Sequence, residues 1–263
     1  MGSNWDITYF KPDKPGVIFT KTEVSFAFEA STAIECGVIL YDGKSKEQRY
    51  PFSNEGRTGA LYGITLKGNP VADYTYNYYD GDRIITDIYA KGIKGLEKWG
   101  DSANGIRKTY GTFPDSRFDW QKDVPLKIPL EDSILYGLNV RAFTMHKSSG
   151  VKNRGTFEGI IEKIPYLTEL GITAIELMPC YEYEECMFPE KVIPASIPLQ
   201  AQPFINVMSK EQVEQEAPKI NCWGFQKGFY YAPKASYSAS SHPEHSFKSM
   251  VRELHKNGIE VIM

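Results

Sequence analysis

No apolar run in the 263 residues approaches the roughly 18 to 20 that a helix needs to cross a membrane. The first thirty residues also lack a basic flank followed by an apolar stretch, the mark of a secretory leader, so neither a membrane span nor export is expected. Cysteine is sparse. Cys36, Cys180, Cys186 and Cys222 show no CxxC spacing and nothing like the density of a disulfide scaffold, which predicts reduced thiols and a cytoplasmic setting. Charge of one sign is lacking too: 30 Lys and Arg stand against 33 Asp and Glu, for a net charge of -3, and no basic run is long enough to track a phosphate backbone. Nucleic acid is therefore not an expected partner. What the chain does have is apolar mass, 41% hydrophobic with 13% aromatic, enough to bury a substantial core in one large domain or two ordinary ones.

Up to about Asp132 the pattern has the period of strands. Val24, Phe26 and Phe28 alternate with Ser25 and Ala27, and Gly37 to Tyr41 is a second β-branched run. Asp42-Gly43, Gly68-Asn69-Pro70 and Asp80-Gly81-Asp82 supply turn chemistry at the spacing of short antiparallel strands, which predicts a small β-sandwich. Pro114, Pro125 and Pro129 cluster near residues 115–133, which read as the junction to a second part. From Ile134 the period changes. Ile134 to Phe143 reads as a strand, and Phe157, Ile160, Ile161, Ile164, Leu167 and Leu170 recur at helical spacing, with Thr156 as N-cap, Gly171 as stop and Pro165 as a source of distortion. Thr173 to Pro179 supplies another strand. Phe247, Met250, Val251 and Leu254 mark a second helix before the β-branched run Gly258 to Met263. Strand, helix, strand, helix, strand is the signature of a parallel sheet covered by helices.

The connection from Met178 to Ser246 is far longer than usual, and loops of that length in compact domains tend to be functional or disordered. Pro189 to Pro218 is polar and without period, and reads as a mobile insertion. Asn221 to Tyr237 is dense in aromatic residues and glycine. Flat apolar rings on permissive backbone suit a sugar, which offers C–H faces for stacking, although such rings can equally pin a loop to the body of a domain.

Taken in order, YGLNVRAFT (Tyr136 to Thr144), GTFEG (Gly155 to Gly159), YLTELGITAIELMP (Tyr166 to Pro179), WGF (Trp223 to Phe225), YAPKASY (Tyr231 to Tyr237) and FKSMVRELHKNGIEVIM (Phe247 to Met263) resemble the start of the catalytic barrel of the α-amylase superfamily, in its pullulanase, isoamylase and glycogen-debranching branch. PGVIF (Pro15 to Phe19), DIYA (Asp87 to Ala90) and FDW (Phe118 to Trp120) resemble the glycogen-binding-type sandwich ahead of that barrel and its junction, with Ile88 where the family has proline. The resemblance implies an α+β multidomain chain: an Ig-like β-sandwich over residues 1–130, then the first part of a (β/α)8 TIM barrel over 131–263 with a long inserted loop at 180–245, truncated at its third strand. A barrel needs eight strands and about 250 residues, so a fragment of a longer enzyme is expected.

What the family does, by this resemblance, is retaining hydrolysis of α-glucans at α-1,6 branch points through an Asp nucleophile, a Glu acid/base and a second Asp. All three come later in the family than the third strand, so no catalytic residue is assigned here and the chain alone is expected to be inactive. The alternatives are a non-catalytic α-glucan-binding protein, a diverged inactive relative, or a purely structural module. The resemblance gives Phe225, Gln226 and Trp223 as substrate-binding residues: Phe225 stacks on the sugar before the scissile bond where the family has Tyr, Gln226 stands in place of Asp or Asn, and Trp223 shapes the cleft. Asn139 stands where the family often has His. Tyr231 and Tyr237 read as packing residues. Glu176 is expected to point into the barrel as a paired structural carboxylate, and Glu182, Glu184 and Glu185 read as a solvated charge run. In His242-Pro243-Glu244-His245 the proline interrupts helical geometry, so a metal pair is not expected. Many relatives bind calcium, but the sequence offers no ligand set for it, and no cofactor is assigned.

Overall fold

The computed structural model describes residues 5–30, 35–43, 46–101, 107–115, 117–187 and 218–263. The chain is mostly sheet with few helices. Its first part runs through β1 (Asp6–Tyr9), β2 (Gly16–Phe19), β3 (Glu23–Glu29), β4 (Cys36–Asp42), β5 (Glu47–Pro51), β6 (Arg57–Thr58), β7 (Leu61–Lys67), β8 (Tyr74–Asp80), β9 (Arg83–Ile85), β10 (Gly92–Lys94) and β11 (Tyr110–Thr112). These form two antiparallel sheets, one ordered β1-β7-β3-β2 with β6 on β7, the other β10-β11-β8-β4-β5 with β9 on β8. The period-two pattern explains the layering. Val24 and Phe26 of β3, with Ile64 and Leu66 of β7, meet Val38 and Leu40 of β4 and Tyr76 and Tyr78 of β8 in one apolar cluster. Every residue from Cys36 to Leu40 is buried, as an inner strand covered on both faces requires. The predicted turns are in place: Gly81 joins β8 to β9 with φ +61°, and the Asp42 side chain accepts from the Lys46 amide at 2.8 Å. Asp87 of the DIYA motif is buried and accepts from the Tyr76 hydroxyl and the Tyr89 amide, both at 2.8 Å, whereas Ile88 is exposed.

The second part holds β12 (Leu135–Leu138), α1 (Val140–Met145), α2 (Phe157–Glu162), α3 (Ile164–Glu169), β13 (Ala174–Leu177), β14 (Tyr181–Glu182), β15 (Cys186–Met187), β16 (Lys219–Ile220), β17 (Phe229–Pro233), α4 (Pro243–Lys256) and β18 (Glu260–Ile262). β12, β13 and β18 are adjacent and parallel, with Tyr136 opposite Ile175 and Ile175 opposite Val261. Leu138, Ile175, Leu177, Phe157, Ile160, Leu167, Met250 and Leu254 form the core between this sheet and its helices.

Several expectations need correction. Ile134 to Phe143 is not one strand: β12 ends at Leu138 because the Asn139 side chain accepts from the Ala142 amide at 2.9 Å and so caps α1. The helical pattern from Phe157 is two helices, since Pro165 has no amide to continue α2 and instead sits in the first turn of α3. Pro243 likewise starts α4 rather than interrupting it, with His242 just ahead of the first turn and His245 Nε2 lying 3.1 Å from the Asp115 carbonyl oxygen. The connection 180–245 is not a plain loop, for it contains β14 to β17. The expected mobile insertion, Pro189 to Pro218, falls outside the described residues except at its last position. Among the described residues no helix is long and apolar enough to cross a membrane.

The proline-containing stretch 117–133 is strapped along α4. His255 Nδ1 lies 2.9 Å from Asp123 Oδ2, Arg252 donates to the Asp119 carbonyl at 2.6 Å, and its guanidinium sits 5.0 Å over the Phe118 ring. At α2, the Thr156 hydroxyl accepts from the Gly159 amide at 3.2 Å and donates to the Asn153 carbonyl at 2.9 Å. Thr156→Ala is expected to cost about 1 kcal/mol of stability, read as a lower urea midpoint at unchanged slope.

Candidate functional site

At the C-terminal ends of β12, β13 and β18 the chain leaves a cavity of about 960 Å³, lined by Gly137, Glu176, Leu177 and Met263 from the sheet side and by Phe225, Tyr230 and Tyr231 from the aromatic segment. Its far wall comes from Val17, Ile18 and Phe19 of the first part. The volume suits a small organic ligand, and the carboxyl ends of parallel strands are where such sheets generally bind one. Glu176 lies exposed on this cavity, without an ion pair among the described residues, rather than in the paired structural role expected of it.

Phe225 is 74% exposed and faces the cavity, and Trp223 is 59% exposed but is not part of its lining. Both sit on a backbone held from several sides. Asn221 Oδ1 accepts from the amides of Trp223 and Gly224 at 3.1 and 3.0 Å, forming an Asx turn at the start of the WGF motif. Gly224 takes φ +81°. The Tyr181 hydroxyl lies 3.0 Å from the Gly224 carbonyl and 2.7 Å from that of Gln226, and donates between them. Gln226 donates its side-chain amide to the Glu184 carbonyl, so that group acts on the segment's own backbone. Asn139, at the end of β12, donates to the Cys222 carbonyl at 3.0 Å and ties the segment to the first strand of the parallel sheet.

Behind the segment lies a cluster of buried charge that the sequence reading placed in solvent. Glu182 and Glu185 are fully buried, and so is Lys234. The Lys234 ammonium donates to Glu182 Oε1 at 3.0 Å, Glu185 Oε2 at 2.9 Å and the Tyr183 carbonyl at 2.7 Å. The Tyr183 ring lies 4.1 Å from Nζ, and the rings of Trp99 and Tyr237 complete the walls. Glu185 also accepts from the Gly100 amide at 2.7 Å and pairs with Arg107 at 2.9 Å, and Arg107 pairs with Glu184 as well. Burial works against the charge on Glu185, yet Lys234 and the Gly100 amide outweigh it and hold its pKa below the usual value. Burial pushes Glu182 up against the pull of Lys234 and the Ala235 amide. Arg107 stays charged because Glu184 and Glu185 overcome its burial.

Burial along YEYEE does not alternate, since Glu182, Tyr183 and Glu185 are all buried, and the partners of the two glutamates lie 52 and 49 residues further on, or 78 residues back at Arg107, so no local period announces the pairing. A lysine set in the aromatic run YAPKASY was the one available sign. Tyr237 is packing, as expected: it is buried, stacked on Trp99 at 5.7 Å and 3.0 Å from the Tyr183 hydroxyl, with its phenol pushed up to about 12 by burial. Tyr231 is not, being 54% exposed on the cavity with Lys91 Nζ 4.3 Å over its ring.

Among the described residues the group with metal-ligating side chains closest together is Glu184, Glu185 and Cys186. It does not suit a cation. Arg107 engages both carboxylates, and the Cys186 thiol is pushed up to about 11 by burial and the neighbouring Glu184. All four cysteines are free thiols.

No family model matches the chain. In sequence it is 32% identical over 231 residues to isoamylase 3, chloroplastic, of Oryza sativa subsp. japonica, an alignment that takes in 80% of this chain and 27% of the relative. It is 26% identical over 262 residues to the glycogen operon protein GlgX homolog of Haemophilus influenzae, covering 91% of this chain and 35% of that protein. In fold it matches the crystal structure of a pullulanase from Paenibacillus barengoltzii in complex with maltohexaose and α-cyclodextrin, with a TM-score of 0.67, 24% identity, and coverage of 97% of this chain and 38% of the pullulanase. The chain thus spans about a third of the length of the relatives it matches.

Proposed function

The chain is homologous over most of its length to isoamylases, glycogen debranching enzymes and pullulanases, the debranching branch of the α-amylase superfamily, and on that premise we propose that it binds α-glucan in the cavity at the carboxyl ends of β12, β13 and β18. The carrying observation is the placement of Phe225: a bare ring on a fixed backbone, turned to an aromatic-lined space of the size of a short oligosaccharide. Tyr230 and Tyr231 extend the apolar wall, and Trp223 flanks it. Gln226 contributes by shaping the backbone around Phe225.

In this reading residues 1–130 are an Ig-like β-sandwich of the glycogen-binding type, and 131–263 are the first three strands of a (β/α)8 barrel. The two antiparallel sheets over one core and the parallel order β12-β13-β18 support it. Hydrolysis of α-1,6 branch linkages is the activity of a protein of the relatives' full length, and the present chain supplies glucan recognition without the catalytic carboxylates. Glu182 and Glu185 do not substitute for them, since both are locked in ion pairs away from solvent. An intracellular compartment, cytoplasm or plastid, accords with four unpaired cysteines.

Affinity electrophoresis tests the binding, with glycogen or pullulan cast in the gel. The purified chain is expected to be retarded by both and to release no reducing ends from pullulan. Unretarded migration would defeat the binding reading, and reducing-end release would defeat the assignment of catalysis to residues outside this chain.

A further inference from the structure

The Lys234 ammonium is coordinated as a bound cation would be: three oxygens at 2.7 to 3.0 Å, two of them from fully buried carboxylates, inside walls of Trp99, Tyr183 and Tyr237. Two buried carboxylates this close require a counter-charge, and in many proteins a divalent ion supplies it. Here the chain supplies its own. The Lys234 amide donates to the Cys180 carbonyl at 2.8 Å, and the next residue's amide, that of Ala235, donates to Glu182 Oε2 at 2.7 Å, so the charge contact also fixes where β17 leaves the cavity wall. Glu184, beside this pair, receives both Arg107 and the Cys186 amide and, through its carbonyl, Gln226.

We infer that Lys234 is a positioning residue: its ammonium is the internal cation that holds the aromatic segment against β14, so that the segment stays in place without a metal ion. Calcium finds no ligand set among these residues, because the carboxylates that could bind it are already paired with Lys234 and Arg107. Removal of the lysine side chain exposes the oxygens of Glu182, Glu185 and Tyr183 to each other around a vacated volume, the kind of oxygen cage that calcium accepts. The consequence for glucan rests on the binding reading above; the consequence for stability does not.

The test compares the whole chain with Lys234→Ala and with the double variant Lys234→Met/Glu182→Gln, using thermal melts in EDTA and in millimolar calcium chloride. The parent is expected to melt at one temperature in both. Lys234→Ala should melt roughly 10 °C lower in EDTA, lose glycogen retardation, and regain part of both in calcium. The double variant, which removes one charge of each sign, should melt above Lys234→Ala in EDTA and ignore calcium. A parent that EDTA destabilises, or a Lys234→Ala protein that melts like the parent, overturns the inference, as does a Lys234→Ala protein that calcium leaves unchanged. If calcium restores the melting temperature but glycogen retards neither protein, the internal cation stands and the glucan site falls.

Discussion

Phe225→Ala is expected to lose its retardation in glycogen gels while melting at the temperature of the parent. The two halves of this result follow from one observation, that the ring is mostly in solvent and touches little of its own protein. Exposed substitutions of this kind usually leave stability within about 0.5 kcal/mol. The ring's full value is realised when a sugar covers it: burying the face and adding aromatic contact is worth about 2 kcal/mol, or roughly 30-fold in affinity. Phe225→Tyr keeps the face and should keep the retardation. Should Phe225→Ala migrate in glycogen like the parent, the ring does not meet the sugar and the cavity is not its site.

Gly224→Ala should show the opposite signature, a fall in stability that takes binding with it. The residue adopts φ +81°, and a methyl group there would stand 2.7 Å from the Tyr183 ring and 2.9 Å from Pro179 Cβ. The left-handed backbone costs about 1–2 kcal/mol for a residue with a Cβ, and crowding a packed wall adds about 1–3 kcal/mol. Neither neighbour yields freely, because Tyr183 lies against Lys234 and Tyr237 and Pro179 continues from β13. A melting temperature lower by roughly 5–15 °C is expected, with weakened glycogen retardation because Phe225 is the next residue. Parent-like melting in Gly224→Ala would mean that the backbone relaxes at that position and that the Asx turn does not fix the aromatic residue.

The elements with a strong local period were legible in the sequence. The alternation in β3, the β-branched run of β4, the spacing of α4 and the final strand beside β13 all follow from residues a few positions apart, and the structure contains each of them. Boundaries were less legible where one side chain overrides a pattern. Asn139 turns what reads as a long strand into a strand and a helix, and Pro165 turns one helix into two. Around the candidate site, the motif singled out Phe225, which the structure leaves exposed on the cavity, and Trp223, which is exposed outside its lining, but the framework behind them was not legible. YEYEE reads as a solvated charge run until Lys234 and Arg107 are known to meet it, and that meeting is a matter of tertiary structure.

Trp99, Gly100 and Arg107 lie ahead of β11, yet the groups they engage, Tyr237, Glu185 and Glu184, lie beyond β13. Neither portion of the polypeptide owns the whole fastening. Severing the chain in the proline-containing stretch would strand a guanidinium on one piece and two acidic groups on the other, leaving each piece with half of a fastening that only the other completes.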